Sequence, residues 1–418
     1  MAASLPQSEQ IVLENGLKVV AVPMHNDSGV VSVDVFYSVG SRNETMGKSG
    51  LAHMLEHMSF KSTKNLKAGE FDRIVKSFGG ISNASTGFDY THYFIKTAAS
   101  NLDSSLKLLA ELMGNLSLKD EEFQPERQVV AEERRWRTDN TPTGAMFFTL
   151  FNAAYAYHPY HWTPIGFMGD IQSWNIDDLK DFYKRYYQPQ NAVLVVSGDF
   201  DPKALFDLAK KRFGRIKNQG GISAPNAIEP EQKGARRVTL IRESEVEMVM
   251  IAYKIPRFDN EDILPLSAAA MILTDGGSSR LNEKLIDKMR LVNSISAFTM
   301  ELSDPGLFVI LAICNPNVKA ERVEKEILAE IKTIGEKAAA QKEIDKVKAQ
   351  AKSEFIYSLE NSSNISQLFG EYLARGNLEP LLNYERNVDA LNAETIKEAA
   401  GRYLIEERST TIILKKEK

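Results

Sequence analysis

Polar and apolar positions alternate over residues 30–39, with Val31, Val33, Val35, Tyr37 and Val39 on one side, the period of a half-buried strand. Upstream, an apolar run from Val12 breaks at Asn15-Gly16, resumes at Leu17 and stops at Pro23, which predicts a hairpin. Downstream the period lengthens to that of helices over residues 48–60, opened by Ser49-Gly50, and 68–78, closed by Gly79-Gly80. Residues 81–94 are rich in Ser, Thr and aromatics and predict a strand pair. Helical patterns follow over 99–116, 125–137 and 174–186, the last leading into a strand at 192–198.

The second half repeats this order. The stretch from Asn175 to Tyr186 aligns with that from Asn392 to Tyr403 at a constant offset of 217 residues, and strands at 192–197 and 409–414 follow the two copies. A strand at 247–253 also precedes a helix at 262–273, as 30–39 precedes 48–60. The pattern predicts an α+β chain made by tandem duplication, with two similar domains that are each a mainly antiparallel sheet covered by helices. The expected division is residues 1–217, a linker at 218–235 carrying Gly220-Gly221, Pro225, Pro230 and Gly234, and residues 236–418.

Composition narrows the partners. The 418 residues carry 51 basic and 56 acidic side chains, a formal charge of −5, and no long basic run, so nucleic acid is not expected as a main partner. No window reaches the roughly 18–20 continuous apolar residues of a membrane span. The single cysteine, Cys314, excludes an intramolecular disulfide framework and any multi-cysteine metal site. The opening Met-Ala-Ala-Ser lacks the regions of a signal peptide and is read as a trimmed mature terminus.

The chemistry concentrates in His53-Met-Leu-Glu56-His57, which uses two of only six histidines. On a helix, positions four apart share a face, so both imidazoles can address one ion while Glu56, beside them, can hold a water. This is the inverted zincin order, His-x-x-Glu-His. A catalytic zinc wants three protein ligands and an open position. The helix at 125–137 offers Glu126, Glu132 and Glu133; Glu126 and Glu133, seven apart, share a face with Val129, Val130 and Trp136, and Glu132 turns away. Two carboxylates on a half-apolar stripe need a counter-charge. Either a metal supplies it, or the helix is merely laced by ion pairs such as Glu133 with Arg137 or Glu132 with Arg135.

His53, Glu56 and His57, with Glu133 placed 76 residues after His57, resemble the pitrilysin/insulinase family of zinc peptidases, the inverzincins. Val39-Gly-Ser-Arg-Asn-Glu44 before the motif and Gly79-Gly80-Ile-Ser-Asn83-Ala84-Ser85-Thr86 after it extend the likeness, which covers essentially the whole chain. The resemblance implies one Zn2+ per chain held by His53, His57 and Glu133, with Glu126 supporting the site by an outer hydrogen bond. It implies peptide hydrolysis with Glu56 as general base, passing the proton of the attacking water to the leaving amine. It also implies an exposed edge strand at 81–86, where Asn83, Ala84 and Ser85 pair with an extended peptide substrate.

One part of the family pattern is missing. Members close a chamber over zinc with an Arg and a Tyr seven residues apart in the second duplicated segment; here Ile286 and Asn293 occupy those positions, with Arg280 and Arg290 as the nearest substitutes. The helix matching the motif, around Leu264–Met271, carries no ligand. The chain therefore resembles the zinc-bearing subunit of small bacterial heterodimeric members, whose homologous second subunit brings the Arg/Tyr pair. A bacterial periplasmic location is expected, with the cytoplasm as the alternative. Rival readings are a non-catalytic core or assembly subunit on the same fold, and the zinc subunit of a presequence-processing peptidase. His158 and His161, three apart beside Pro159 and Trp162, read as loop packing.

Overall fold

The computed structural model of the protein describes residues 5–24, 27–223, 225 and 227–417. The opening residues 1–4, on which the trimmed-terminus expectation rests, lie outside the described residues. So do two linker positions, Ala224 and Asn226.

In chain order the strands are β1 (Glu9–Val12), β2 (Lys18–Pro23), β3 (Val30–Tyr37), β4 (Ile81–Thr86), β5 (Thr91–Ala98), β6 (Ala192–Gly198), β7 (Arg236–Arg242), β8 (Met248–Lys254), β9 (Val292–Met300), β10 (Leu307–Cys314) and β11 (Ser409–Lys416). The first sheet runs β1-β2-β6-β3-β5-β4 and the second β7-β11-β8-β10-β9. Stripped of β1, the two orders are the same. In each sheet one pair is parallel, β2 with β6 and β7 with β11, and every other pair is antiparallel. The repeat reaches single hydrogen bonds. Asn175 caps Ile176–Tyr186 by accepting from the Asp177 and Asp178 N–H groups, and Asn392 caps Ala393–Tyr403 from Glu394 and Thr395.

Each sheet lays one face on its own helices. In the first, Val31, Val33 and Val35 of β3 pack with Leu51, Met54, Leu55 and Met58 of the motif helix (Leu51–Ser59) and with the helix Leu102–Asn115. In the second, Ile251, Phe308 and Ile310 pack with Leu266, Leu273 and Ile327.

The compact units differ from the expected division at 1–217 and 236–418, because they are not contiguous in the chain. The first comprises the chain up to Arg134, the stretch from Trp162 into the linker, and Phe355–Leu382; the second takes Arg135–His161 and the remainder. The helix Pro142–Ala154 thus packs on β7, β8 and β11, and the helix Ser362–Ala374 packs on β3 and β6. The reason is the second face of each sheet. All seven residues of β6 are buried, so both of its sides need a cover. In the first unit, Gly370 lies close against the Phe36 ring, and Ser366 shares a hydrogen bond of 2.8 Å with Ser197. Periodicity marks a helix as amphipathic without saying which sheet receives it.

Smaller differences concern helix ends. The helix expected from residue 125 begins at Asp120 and keeps Pro125 inside, with Asp120, Glu121 and Glu122 in its first turn favouring the positive end of the helix dipole. A π-helical turn, Arg135–Asp139, follows it. The linker is also anchored at Glu229. The buried Glu229 carboxylate accepts the N–H groups of Ala156, Tyr157 and His158 and pairs with Lys254 at 2.7 Å, all within the second unit. Burial raises its pKa, but these donors prevail and bring it down to about 2.

A methyl group at Gly370 would collide with Phe36. Gly370→Ala should therefore cost about 1–3 kcal/mol in urea unfolding, whereas Gly169→Ala, in a helix with open space around it, should be neutral or slightly stabilising. Equal effects of the two would mean that the exchanged helix is not seated as described.

Candidate metal centre

The motif helix is fixed at its N-terminus by residues well separated in sequence. Gly50 has φ 89°, a left-handed conformation that suits glycine, and a Cβ there would press on the Trp174 ring and the Ile165 carbonyl. The buried Glu44 carboxylate accepts the N–H of Gly50 at 2.7 Å, the N–H of Ala52 at 2.8 Å and the indole N–H of Trp162 at 2.8 Å. A carboxylate at this end satisfies otherwise orphaned donors and complements the helix dipole. Complete burial pushes its pKa up to about 8 against those three donors. Ser49 is tied in turn to Asp170 through its N–H, at 3.0 Å, and its hydroxyl, at 2.6 Å.

With Leu51, Ala52, Met54, Leu55 and Met58 buried, the remaining face presents His53, Glu56 and His57. The two imidazole rings lie 4.7 Å apart at 78°. The helix Asp120–Arg134, anchored through the buried Phe123, Val130 and Ala131, brings Glu133 and Glu126 to the same place. Glu133 Oε2 is 3.2 Å from His57 Nε2 and 3.7 Å from His53 Nε2. Glu126 Oε1 is 2.9 Å from His57 Nδ1, and its Oε2 is 2.5 Å from Lys61 Nζ. Glu132 is exposed, as its place on the helix predicts; Val129 and Trp136 are exposed too, so only Val130 of the expected apolar stripe is buried.

The electrostatics follow from this clustering. Burial lowers the His57 pKa, but the Glu126 and Glu133 carboxylates outweigh it and raise it to about 9 without a metal. Burial likewise opposes ionisation of Glu126, yet His57 and Lys61 hold it below the usual carboxylate range. The site favours positive charge between these groups.

A zinc ion fits the donor set. One ligand atom each from His53, His57 and Glu133 lies within 4.8 Å of the others, the one such group of metal-ligating residues among those described. Tetrahedral zinc with ligands at about 2.0–2.1 Å needs them about 3.3 Å apart, and the two separations to Glu133 Oε2 bracket that value. His57 donating Nδ1–H to Glu126 would leave Nε2 as the ligating atom. Glu56 lies beside the cluster, where the Thr86 hydroxyl donates to its Oε2 at 2.6 Å.

Thr86 ends β4, which pairs with β5 alone and forms an edge of the first sheet. Asn83 and Ser85 are exposed there and Ala84 is partly buried. The structure thus brings His53, Glu56, His57, Glu126 and Glu133 together and adds Lys61 and the Thr86–Glu56 bond. Glu44, part of the segment that carries the family likeness, holds the helix opening, and Lys61 stands one turn beyond His57.

In the second unit, Ile286 packs partly against the core and Asn293 is exposed on β9. Arg280 is committed to Glu343 at 2.7 Å and Glu330 at 3.3 Å, which removes it as a substitute for the absent arginine. His158 bonds to Asp304 at 3.0 Å and His161 to the Tyr155 carbonyl at 2.6 Å, the packing role read from the sequence.

Residues 19–163 match the family model described as insulinase, peptidase family M16, and residues 173–351 that of the peptidase M16 inactive domain. The chain is 51% identical to the zinc protease PqqE of Helicobacter pylori over 98% of its own length and 93% of that protein. It belongs to peptidase family M16. The crystal structure of a protease from Helicobacter pylori superposes with a TM-score of 0.96 at 50% identity, covering 98% of this M16 chain and all of the other. The mitochondrial-processing peptidase subunit beta of Bos taurus is 27% identical over 96% of the chain and 83% of that subunit. The periplasmic protease PqqL of Escherichia coli shares the fold (TM-score 0.80, 19% identity), with 99% of this chain covering 48% of that one. Among the described residues of this M16 chain, no helix is long and apolar enough to cross a membrane.

Glu44→Leu would leave three buried donors without an acceptor. It should cost about 2–4 kcal/mol of unfolding free energy, read by chemical denaturation; a loss within about 0.5 kcal/mol would show that the helix terminus does not depend on Glu44.

Proposed function

We propose that the chain is the zinc-bearing subunit of a metalloendopeptidase that hydrolyses peptides or small unfolded polypeptides. The observation that carries this reading is the convergence of His53, His57 and Glu133 on one point with Glu56 beside it. Zinc held by those three groups would supply a Lewis acid that acidifies water and polarises the scissile carbonyl. Glu56 accepts the proton of the attacking water and delivers it to the leaving amine nitrogen. The Thr86 hydroxyl holds one of its carboxylate oxygens while this happens. Glu126 orients the His57 ring through Nδ1. The edge strand β4 binds an extended peptide by backbone hydrogen bonds, with the Asn83 side chain and the Ala84 and Ser85 backbone along it; this mode gives affinity with little demand on sequence.

The partner in this reading is a homologous chain that supplies an Arg and a Tyr to stabilise the carbonyl oxygen as charge develops. Two facts support it: Ile286 and Asn293 stand at the expected positions, and the chain spans about half of PqqL. A homodimer would lack the pair. We place the enzyme in the bacterial periplasm.

Glu56→Gln should lower turnover roughly a hundred- to ten-thousandfold while zinc stays near one per chain by elemental analysis, whereas His53→Ala should lose both. An active Glu56→Gln enzyme contradicts the mechanism. The chain alone should cleave unfolded casein weakly or not at all and gain activity when mixed with a homologous chain carrying Arg and Tyr. Full activity alone contradicts the heterodimer, and zinc without hydrolysis even in the mixture would favour a non-catalytic subunit.

A further inference from the structure

We propose that Lys61 is a positioning residue for the metal centre, fixing the Glu126 carboxylate and through it the His57 ring. The inference rests on the zinc reading above and adds to it a residue outside the His-x-x-Glu-His motif.

The geometry is a chain of charges, each held by the next. Lys61 Nζ lies 2.5 Å from Glu126 Oε2, Glu126 Oε1 lies 2.9 Å from His57 Nδ1, and His57 Nε2 lies 3.2 Å from Glu133 Oε2. Lys61 follows the motif helix by two residues, and its N–H bonds to the Met58 carbonyl, so its backbone moves with the helix that carries both imidazoles. The Glu126 side chain is only 12% exposed, so water alone satisfies its second oxygen poorly. With Lys61 in place both carboxylate oxygens are engaged and the plane of the group is set; without it, Glu126 can rotate away from His57. An imidazole whose far nitrogen is no longer held loses its preferred tautomer and orientation, and outer partners of this kind typically contribute 10–100-fold in metal affinity. Lys61 stands one step further out, behind Glu126, and its side chain is 31% exposed. Its removal should therefore leave the fold intact and be felt in metal binding.

The test compares wild type, Lys61→Met and Lys61→Arg, stripped of metal with a chelator. Each is titrated with zinc in competition with a chromophoric chelator, and the metal-free melting temperature is measured beside it. The expected result is zinc binding roughly tenfold weaker in K61M, near-wild-type affinity in K61R, and equal metal-free melting temperatures. Wild-type affinity in K61M, or a K61R as weak as K61M, overturns the proposal while leaving the zinc site standing. A wild type that takes up no zinc overturns the peptidase reading itself, and this proposal with it. An affinity loss matched by a lowered metal-free melting temperature in K61M, unrelieved in K61R, overturns it in favour of a purely structural lysine.

Discussion

Two carboxylates turned toward one imidazole among half-buried side chains form an arrangement that must be neutralised, because unpaired charge removed from water is costly. Glu126 and Glu133 approach opposite nitrogens of His57, and Glu133 also approaches His53. Without a cation the site compensates by holding a proton on His57, as its pKa of about 9 expresses. A divalent ion in its place would be held by His53, His57 and Glu133. The surroundings follow from the same demand. Glu44 fixes the helix that carries both histidines, the buried Phe123 and Val130 fix the helix that carries both acids, and Lys61 closes the outer end of the charge chain.

The duplication explains why such a site can occupy one half only. The two sheets share strand order, the place of their single parallel pair and a capped helix before the last strand. The helix in the motif's position, Ile263–Thr274, is almost wholly buried and apolar, with no metal-ligating side chain. One copy therefore carries the cluster of metal-ligating side chains and the other keeps the scaffold. The exchanged helices Pro142–Ala154 and Ser362–Ala374 complete that scaffold by covering the second face of each sheet.

Much of this was legible in the amino-acid sequence because it rests on local periods. The alternation over residues 30–39 gave β3, the Asn-Gly pair gave the first hairpin, and the 217-residue offset gave the repeated topology. The His-x-x-Glu-His spacing placed two imidazoles on one face, and the seven-residue spacing of Glu126 and Glu133 placed two acids on another. Periodicity alone could not bring those faces together; the choice of Glu133 came from the family resemblance. Contacts between distant segments stayed hidden. Nothing local assigns Ser362–Ala374 to the first sheet, sends Trp162 to Glu44, or sets Thr86 against Glu56. The start of the acidic helix was hidden for another reason: Pro125 looks like a first-turn residue but sits inside a helix begun by three acids.

We propose that two imidazoles from a single helical turn and a carboxylate from a separate helix share one ion. X-ray absorption at the zinc edge, on protein loaded with one equivalent, reads that sharing. The expected spectrum is a four-coordinate first shell of nitrogen and oxygen at about 2.0–2.1 Å with the scattering signature of two imidazoles, lost together with the zinc in His57→Ala. A shell containing sulfur, a six-oxygen hydrated ion, or zinc bound unchanged in His57→Ala would contradict it.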